Sequence, residues 1–323
     1  MALALSGLPP SPANAHHGVA GLGAAGLQGP GAPIETATSA TIPQDTTLLY
    51  FKLDHAKFKR FTPNEDGESD YSQFSILGLG HGFTPWFSGY VFLPYNVKVD
   101  EGPDAFNTRG VADVSLFGQI GFTYDKGFKL VPANESLDDL EDWHFSIFGG
   151  ASIPTANPDV RDPAGNIDPG KSTGFGKPSY TLGVTATKVL SPRWTSHIEI
   201  SGLWFQEYEY ADGNRTEFGD EQRVNTGIVY RAHTDFSRRV RVDFSLEAQY
   251  LSLGRDRSNG VDQAATGGKV VYLVPGVRIY KDRYSFAFGV KKPVATRLNE
   301  NDQQQGAEGK EDYRLIFSAS ALF

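Results

Sequence analysis

The chain has no cysteine, and its only methionine is residue 1. The missing thiols exclude disulfides, thiolate metal sites and cysteine nucleophiles together. Also missing is any apolar stretch near the roughly 18 to 20 residues that a membrane helix needs. Positive charge is scarce: 30 Lys and Arg stand against 38 Asp and Glu, giving a formal charge of −8. That balance argues against nucleic acid as a partner, because such binding rests on neutralising phosphates. A helical membrane protein is excluded, and a soluble protein or a membrane β-barrel remains.

Glycine (36) and aromatic residues (22 Phe, 14 Tyr, 4 Trp) are abundant instead. The first seventeen residues, MALALSGLPPSPANAHH, hold a short apolar run, prolines and an Ala13-Asn14-Ala15 cleavage pattern, with no Lys or Arg before Lys52. We read residues 1–15 as the remnant of a signal peptide. Residues 16–45 are rich in Gly and Ala, carry no formal charge before Glu35 and lack any period, as expected of an arm or plug. Cleavage after Ala15 would expose His16 and His17, which together with the new amine form a nitrogen set suited to copper or zinc.

From residue 46 onward a period of two dominates. Twelve alternating runs follow, from LLYFKLDHAKFKRF (48–61) to the closing YRLIFSASALF (313–323). Most are about the 9 to 11 residues that a tilted membrane strand requires. The connections alternate in length. TPW (84–86), SPR (191–193), SRR (237–239) and KDR (281–283) are tight, and all four fall at one end of the strands. Long connections rich in Asp, Glu, Asn, Gly and Pro occupy the other end. Short periplasmic turns and long outer loops are the habit of outer-membrane barrels. The exception is 125–142, a long connection on the short-turn side in which Ser136 is a candidate N-cap for a surface helix.

The alternation also sorts side chains into two faces. Val240, Val242, Phe244, Leu246, Ala248 and Tyr250 share one face, against Arg241, Asp243, Ser245, Glu247 and Gln249. Ile198 and Ile200 oppose His197 and Glu199, and Val224, Ile228 and Tyr230 oppose Arg223, Asn225, Arg231 and His233. Alternation alone does not say which face is inside. The one-sided turns, the signal remnant and the closing aromatic favour lipid outside and a wet lumen. Candidate lumen and solute-binding residues are therefore Glu199, Arg223, Arg231, Arg241, Asp243 and Glu247. Trp86, Phe87, Tyr124, Trp143, Trp194, Tyr208, Tyr210, Tyr280 and Tyr284 stand near strand ends, where interfacial girdles form.

Three segments carry a family likeness. GVADVSLFGQIG (110–121), GGASIPTANP (149–158) and STGFGKPSYTLGVTATKVLSPRW (172–194) resemble glycine-based motifs of the outer-membrane transporter family of the phenol meta-pathway. Ala156 stands where that family has glycine. The resemblance spans roughly residues 46–323 and implies an outer-membrane channel for small, often aromatic or hydrophobic, compounds.

Enzymatic readings find little support. Ser196 and His197 are adjacent in a strand and face opposite sides, which prevents the contact a nucleophile and its base require. Glu199, Asp243 and Glu247 could be read as a carboxylate pair for glycoside cleavage, but solvated lumen charges facing arginines are the simpler reading. Asp159, Asp162, Asn166 and Asp168 offer oxygen ligands without calcium-loop spacing. The expectation is therefore an all-β protein, a twelve-stranded antiparallel transmembrane β-barrel over 46–323. It is expected in the bacterial outer membrane, meeting lipid, assembly machinery and a small-molecule solute, with no enzymatic activity and no resident cofactor. A surface or metal-binding barrel that does not conduct, with copper or zinc at the histidine pair, is the competing class, and an outer-membrane enzyme is third.

Overall fold

The computed structural model describes residues 31–59, 71–99, 106–124, 126–133, 143–301, 304–305 and 309–323. Twelve long strands build the wall. They are β1 Thr47–Phe58, β2 Tyr71–Thr84, β3 Phe87–Val99, β4 Val114–Tyr124, β5 Trp143–Ile153, β6 Tyr180–Ser191, β7 Trp194–Trp204, β8 Glu221–Asp235, β9 Val240–Leu253, β10 Gly268–Lys281, β11 Tyr284–Leu298 and β12 Glu311–Leu322. Each pairs antiparallel with its neighbours in sequence, and β12 returns to β1 with Leu322 opposite Leu48, which closes the ring. Closure matters physically, because in lipid an open edge would leave backbone groups without partners. Phe323 extends that seam: its N–H donates to the Thr47 carbonyl at 2.8 Å and its carbonyl accepts from the Thr47 N–H at 3.0 Å.

The strands run eleven to fifteen residues, longer than the span expected from bilayer thickness. β7 is shorter than the sequence pattern suggests. It ends at Trp204, and Tyr208–Glu209 joins a separate small sheet with Arg215–Glu217, Arg257–Ser258 and Val261–Asp262. Tyr208 and Tyr210 therefore pack on each other within the outer loops, ring centroids 4.9 Å apart, and form no girdle. Tyr280 also leaves the girdle, because it stands on the lumen face of β10 with Arg241 5.8 Å from its ring. Trp143, Trp194, Tyr124 and Tyr284 are exposed at the short-turn end, as a girdle requires.

The apolar face points out. Leu77, Leu79, Ile200, Phe244 and Leu246 are each more than half exposed, while Lys52, Asp54, Asp243, Glu247, Arg278 and Arg314 are buried inside. A soluble barrel would invert this arrangement, so the exterior is a surface for lipid. Bulges interrupt several ladders, and the one on β8 reverses a predicted face. A bulge between Arg231 and His233 shifts the register of β8 against β9, so Arg231 stays opposite Asp243 while His233 turns outward. The candidate helix capped by Ser136 lies outside the described residues. Residues 128–130 before it form a short strand on β4.

The barrel lumen as candidate functional site

The lumen is occupied by the chain's own arm. Residues 31–43 cross it from the β9 wall to the β2–β3 hairpin, and nearly all are buried. Small side chains let this segment pass close to the wall. Ile34 lies against Gly276 and Gly289, and Ile42 against Gly80, where an added Cβ would come within 2.7 Å of the Ile42 side chain. Gly82 admits the Pro43 carbonyl in the same way.

Polar contacts fasten the arm along its length. Glu247 accepts the N–H groups of Ile34 at 2.6 Å and Thr36 at 2.7 Å, a longer pair from Glu35, and the Thr36 hydroxyl at 2.7 Å. Glu199 accepts the Ala37 N–H at 2.7 Å and Asp243 the Gly31 N–H at 2.9 Å. On the arm's carbonyl side, Arg278 donates to Pro33 at 2.7 Å and Gln119 to Thr38 at 2.9 Å. The first charged residue of the chain, Glu35, pairs with Lys52 and with Lys291 at 3.3 Å. Ionised acceptors facing amide donors in a low-dielectric interior make strong hydrogen bonds. These contacts give partners to much of the arm's backbone, which is otherwise a poor candidate for burial.

The six residues expected to line the lumen all face it. Three of them, Glu199, Asp243 and Glu247, are arm anchors. Arg241 bonds Asp243 at 2.7 Å, Arg223 pairs with Glu221 beside it, and Arg231 lies half-buried across the ladder from Asp243. Sequence reading missed Lys52, Asp54, Arg278, Lys291, Glu311 and Arg314. Their signal was present as charges alternating with apolar residues, as in the YFKLD of β1. His197 engages Thr187 at 3.1 Å and the Gly31 carbonyl at 2.7 Å, while the Ser196 hydroxyl donates to the Lys188 carbonyl. The two residues face apart, as their adjacency in the strand requires.

At the long-loop end, the 154–179 connection folds into the barrel mouth. Lys98 donates to the carbonyls of Gly170 and Ser172 at 2.5 and 2.9 Å, and Thr108 to that of Lys171 at 2.6 Å. Asp113 clamps the loop's two ends: it accepts the N–H groups of Thr155, Ala156 and Phe175, each at 2.9 Å. The three glycine-based motifs thus meet at one carboxylate. Burial pushes the Asp113 carboxyl up from its usual range, against those three donors. The loop's acids work as turn acceptors. Asp162 takes the Asn166 N–H, Asp168 that of Gly170, and Asp159 the Tyr208 hydroxyl. Among the described residues no group of three His, Asp or Glu side chains is placed to hold a metal. His16 and His17 lie outside the described residues.

Beneath the loop lies a cavity with an empty volume of about 680 Å3, lined by Phe74, Phe117, Phe175, Leu203 and Phe218. Its aromatic floor continues down the wall. Phe117 meets Phe92 edge-on at 5.8 Å, Phe92 stacks with Tyr90 at 5.9 Å, and the cluster ends on Ile42 of the arm.

No family model and no curated protein matches the chain. Solved structures do. The COG4313 outer membrane channel from Pseudomonas putida F1 superposes with a TM-score of 0.70 over 90% of this chain and all of its own, at 13% identity. The NanC porin (TM-score 0.47, 8% identity, 84% of this chain and 98% of its own) and the TodX monoaromatic hydrocarbon channel (0.41, 11%, 88% and 92%) are more distant. The first likeness establishes the fold, that of a bacterial outer-membrane β-barrel with lipid against its outer face.

Proposed function

We propose that the chain is a passive outer-membrane channel for small solutes, preferentially apolar or aromatic ones, and that residues 31–43 hold it closed at rest. The observation that carries this reading is the aromatic wall, which runs from the mouth cavity to Ile42 and stops at the arm. A solute entering beneath the 154–179 loop meets rings along one side of the lumen and then the plug. No nucleotide motif occurs in the sequence, so any energy source would have to be external to the chain. Selectivity comes from the lumen lining and from the arm, as in other pores where side-chain rings and constrictions sort solutes. The resemblance to the phenol meta-pathway transporter family supports the aromatic preference. Twelve strands enclose enough space for an extended chain, since barrel width grows with strand number.

Planar-bilayer recording of the full chain and of a chain lacking 16–45 tests the reading. Conductance is expected to rise on deletion, and any preference for apolar solutes to weaken. Equal, negligible conductance in both proteins would instead favour a surface-binding barrel that does not conduct.

A further inference from the structure

The mouth cavity carries a chemical demand that passage of a purely apolar solute does not meet. It adjoins a second hollow of about 270 Å3, and the two share Phe74, Asn96 and Lys98. The larger hollow is walled by aromatic rings, while the smaller is walled in part by Asp54, Asn96 and Gln73.

Three acceptor atoms in this wall are idle. Asn96 Oδ1 and both Asp54 oxygens are buried and, among the described residues, receive no hydrogen bond. Asp54 is 1% exposed, and its Oδ2 is charge-balanced by Lys52 at 3.1 Å and Arg314 at 3.9 Å. Buried acceptors are seldom left in this condition. The nearby Lys98 already donates to two loop carbonyls. An ammonium group brought here would face Lys52, Lys98 and Arg314, and an anion would meet acceptors. A neutral hydroxyl satisfies both constraints.

We propose that this double hollow is a binding site for a neutral, ring-sized solute that carries hydroxyl groups along one edge. The ring's apolar face lies on Phe74, Phe117 and Phe175, and its hydroxyls donate to Asn96 Oδ1 and Asp54 Oδ1. An apolar ring diol and a sugar share this chemistry. The proposal rests on the channel reading only in taking the occupant to be a solute in passage.

Isothermal titration calorimetry of the full chain in detergent tests it with three probes. These are cyclohexane-1,2-diol, methyl glucopyranoside, and cyclohexanone, a ring of similar size that only accepts hydrogen bonds. At least one hydroxylated probe is expected to bind about 25-fold more tightly than cyclohexanone, two net hydrogen bonds at about fivefold each. Which of the two does so identifies the source. Asn96→Ala should narrow that margin to about fivefold, leaving the bond to Asp54, and leave cyclohexanone unchanged. Phe175→Ala should weaken every probe that binds. Heat-modifiable migration on gels confirms that each variant is folded. Cyclohexanone binding as tightly as both hydroxylated probes, or a margin that Asn96→Ala does not narrow, overturns the proposal. Because binding is read without conduction, a barrel that binds the diol yet conducts nothing after arm deletion sinks the channel reading alone.

Discussion

Glu247 is the strongest single fastening of the arm, and its removal should open the barrel. Its carboxylate accepts three consecutive backbone N–H groups and the Thr36 hydroxyl, the shortest contacts being 2.6 and 2.7 Å. Hydrogen bonds to a charged acceptor contribute about 1.5 to 3 kcal/mol each, and contributions from one group do not add fully. Taking two independent bonds as the effective loss gives about 3 to 6 kcal/mol in Glu247→Ala. Each 1.4 kcal/mol is about a factor of ten, so the ratio of docked to undocked arm should fall by two orders of magnitude or more. Glu247→Gln keeps one acceptor oxygen and places an NH2 against the arm's donors, so its effect should be smaller, near tenfold. The wall itself is held by the β8–β9 and β9–β10 ladders, in which the Glu247 side chain takes no part. The assay is open probability in planar bilayers, paired with protease nicking within 31–43. Heat-modifiable migration like that of the wild type serves as the folding control. An Ala variant that folds, keeps the arm protected and conducts no more than the parent would refute the reasoning.

Three further outcomes follow from the same structure. Phe244→Arg places a charge on the lipid face at a residue 53% exposed, and should cost about 2 to 4 kcal/mol if it lies near mid-bilayer, measured by urea titration in lipid vesicles. Asp113→Ala removes the common acceptor of Thr155, Ala156 and Phe175, so the 154–179 loop should be cleaved faster by protease while the barrel stays heat-modifiable. Deleting Phe323 removes two hydrogen bonds at the β1–β12 seam and the ring that Arg283 covers at 4.8 Å, so assembly into membranes should fall, read as the folded fraction on unheated gels.

Much of the wall was legible because its signals are local. Alternation along β9 separates Phe244 and Leu246 from Asp243 and Glu247 without reference to any other strand, since successive side chains point to opposite faces. The tight turns at 84–86, 191–193, 237–239 and 281–283 marked four hairpins and the side on which they lie. Local signals also misled in identifiable places. His233 follows a bulge, which adds a residue on one strand and reverses the faces beyond it. Tyr208 and Tyr210 continue the alternation of β7 but leave the barrel for a loop sheet whose partners lie further along the chain.

By itself, then, the sequence determined an all-β chain of twelve wall strands, the pairing of neighbours, the charged and apolar faces and the turn-bearing end. Each of these follows from period-two patterning and from turn chemistry, which act over a few residues. Only the tertiary structure decided what those charged residues do. Glu247 and the arm residues it holds are more than two hundred positions apart, and Asp113 gathers Thr155 and Phe175 from across the long loop. A carboxylate in a wet lumen and one accepting amide donors from a buried arm read identically in sequence. They differ only in solvation and partners, and ring closure of the barrel sets both by fixing which walls face each other.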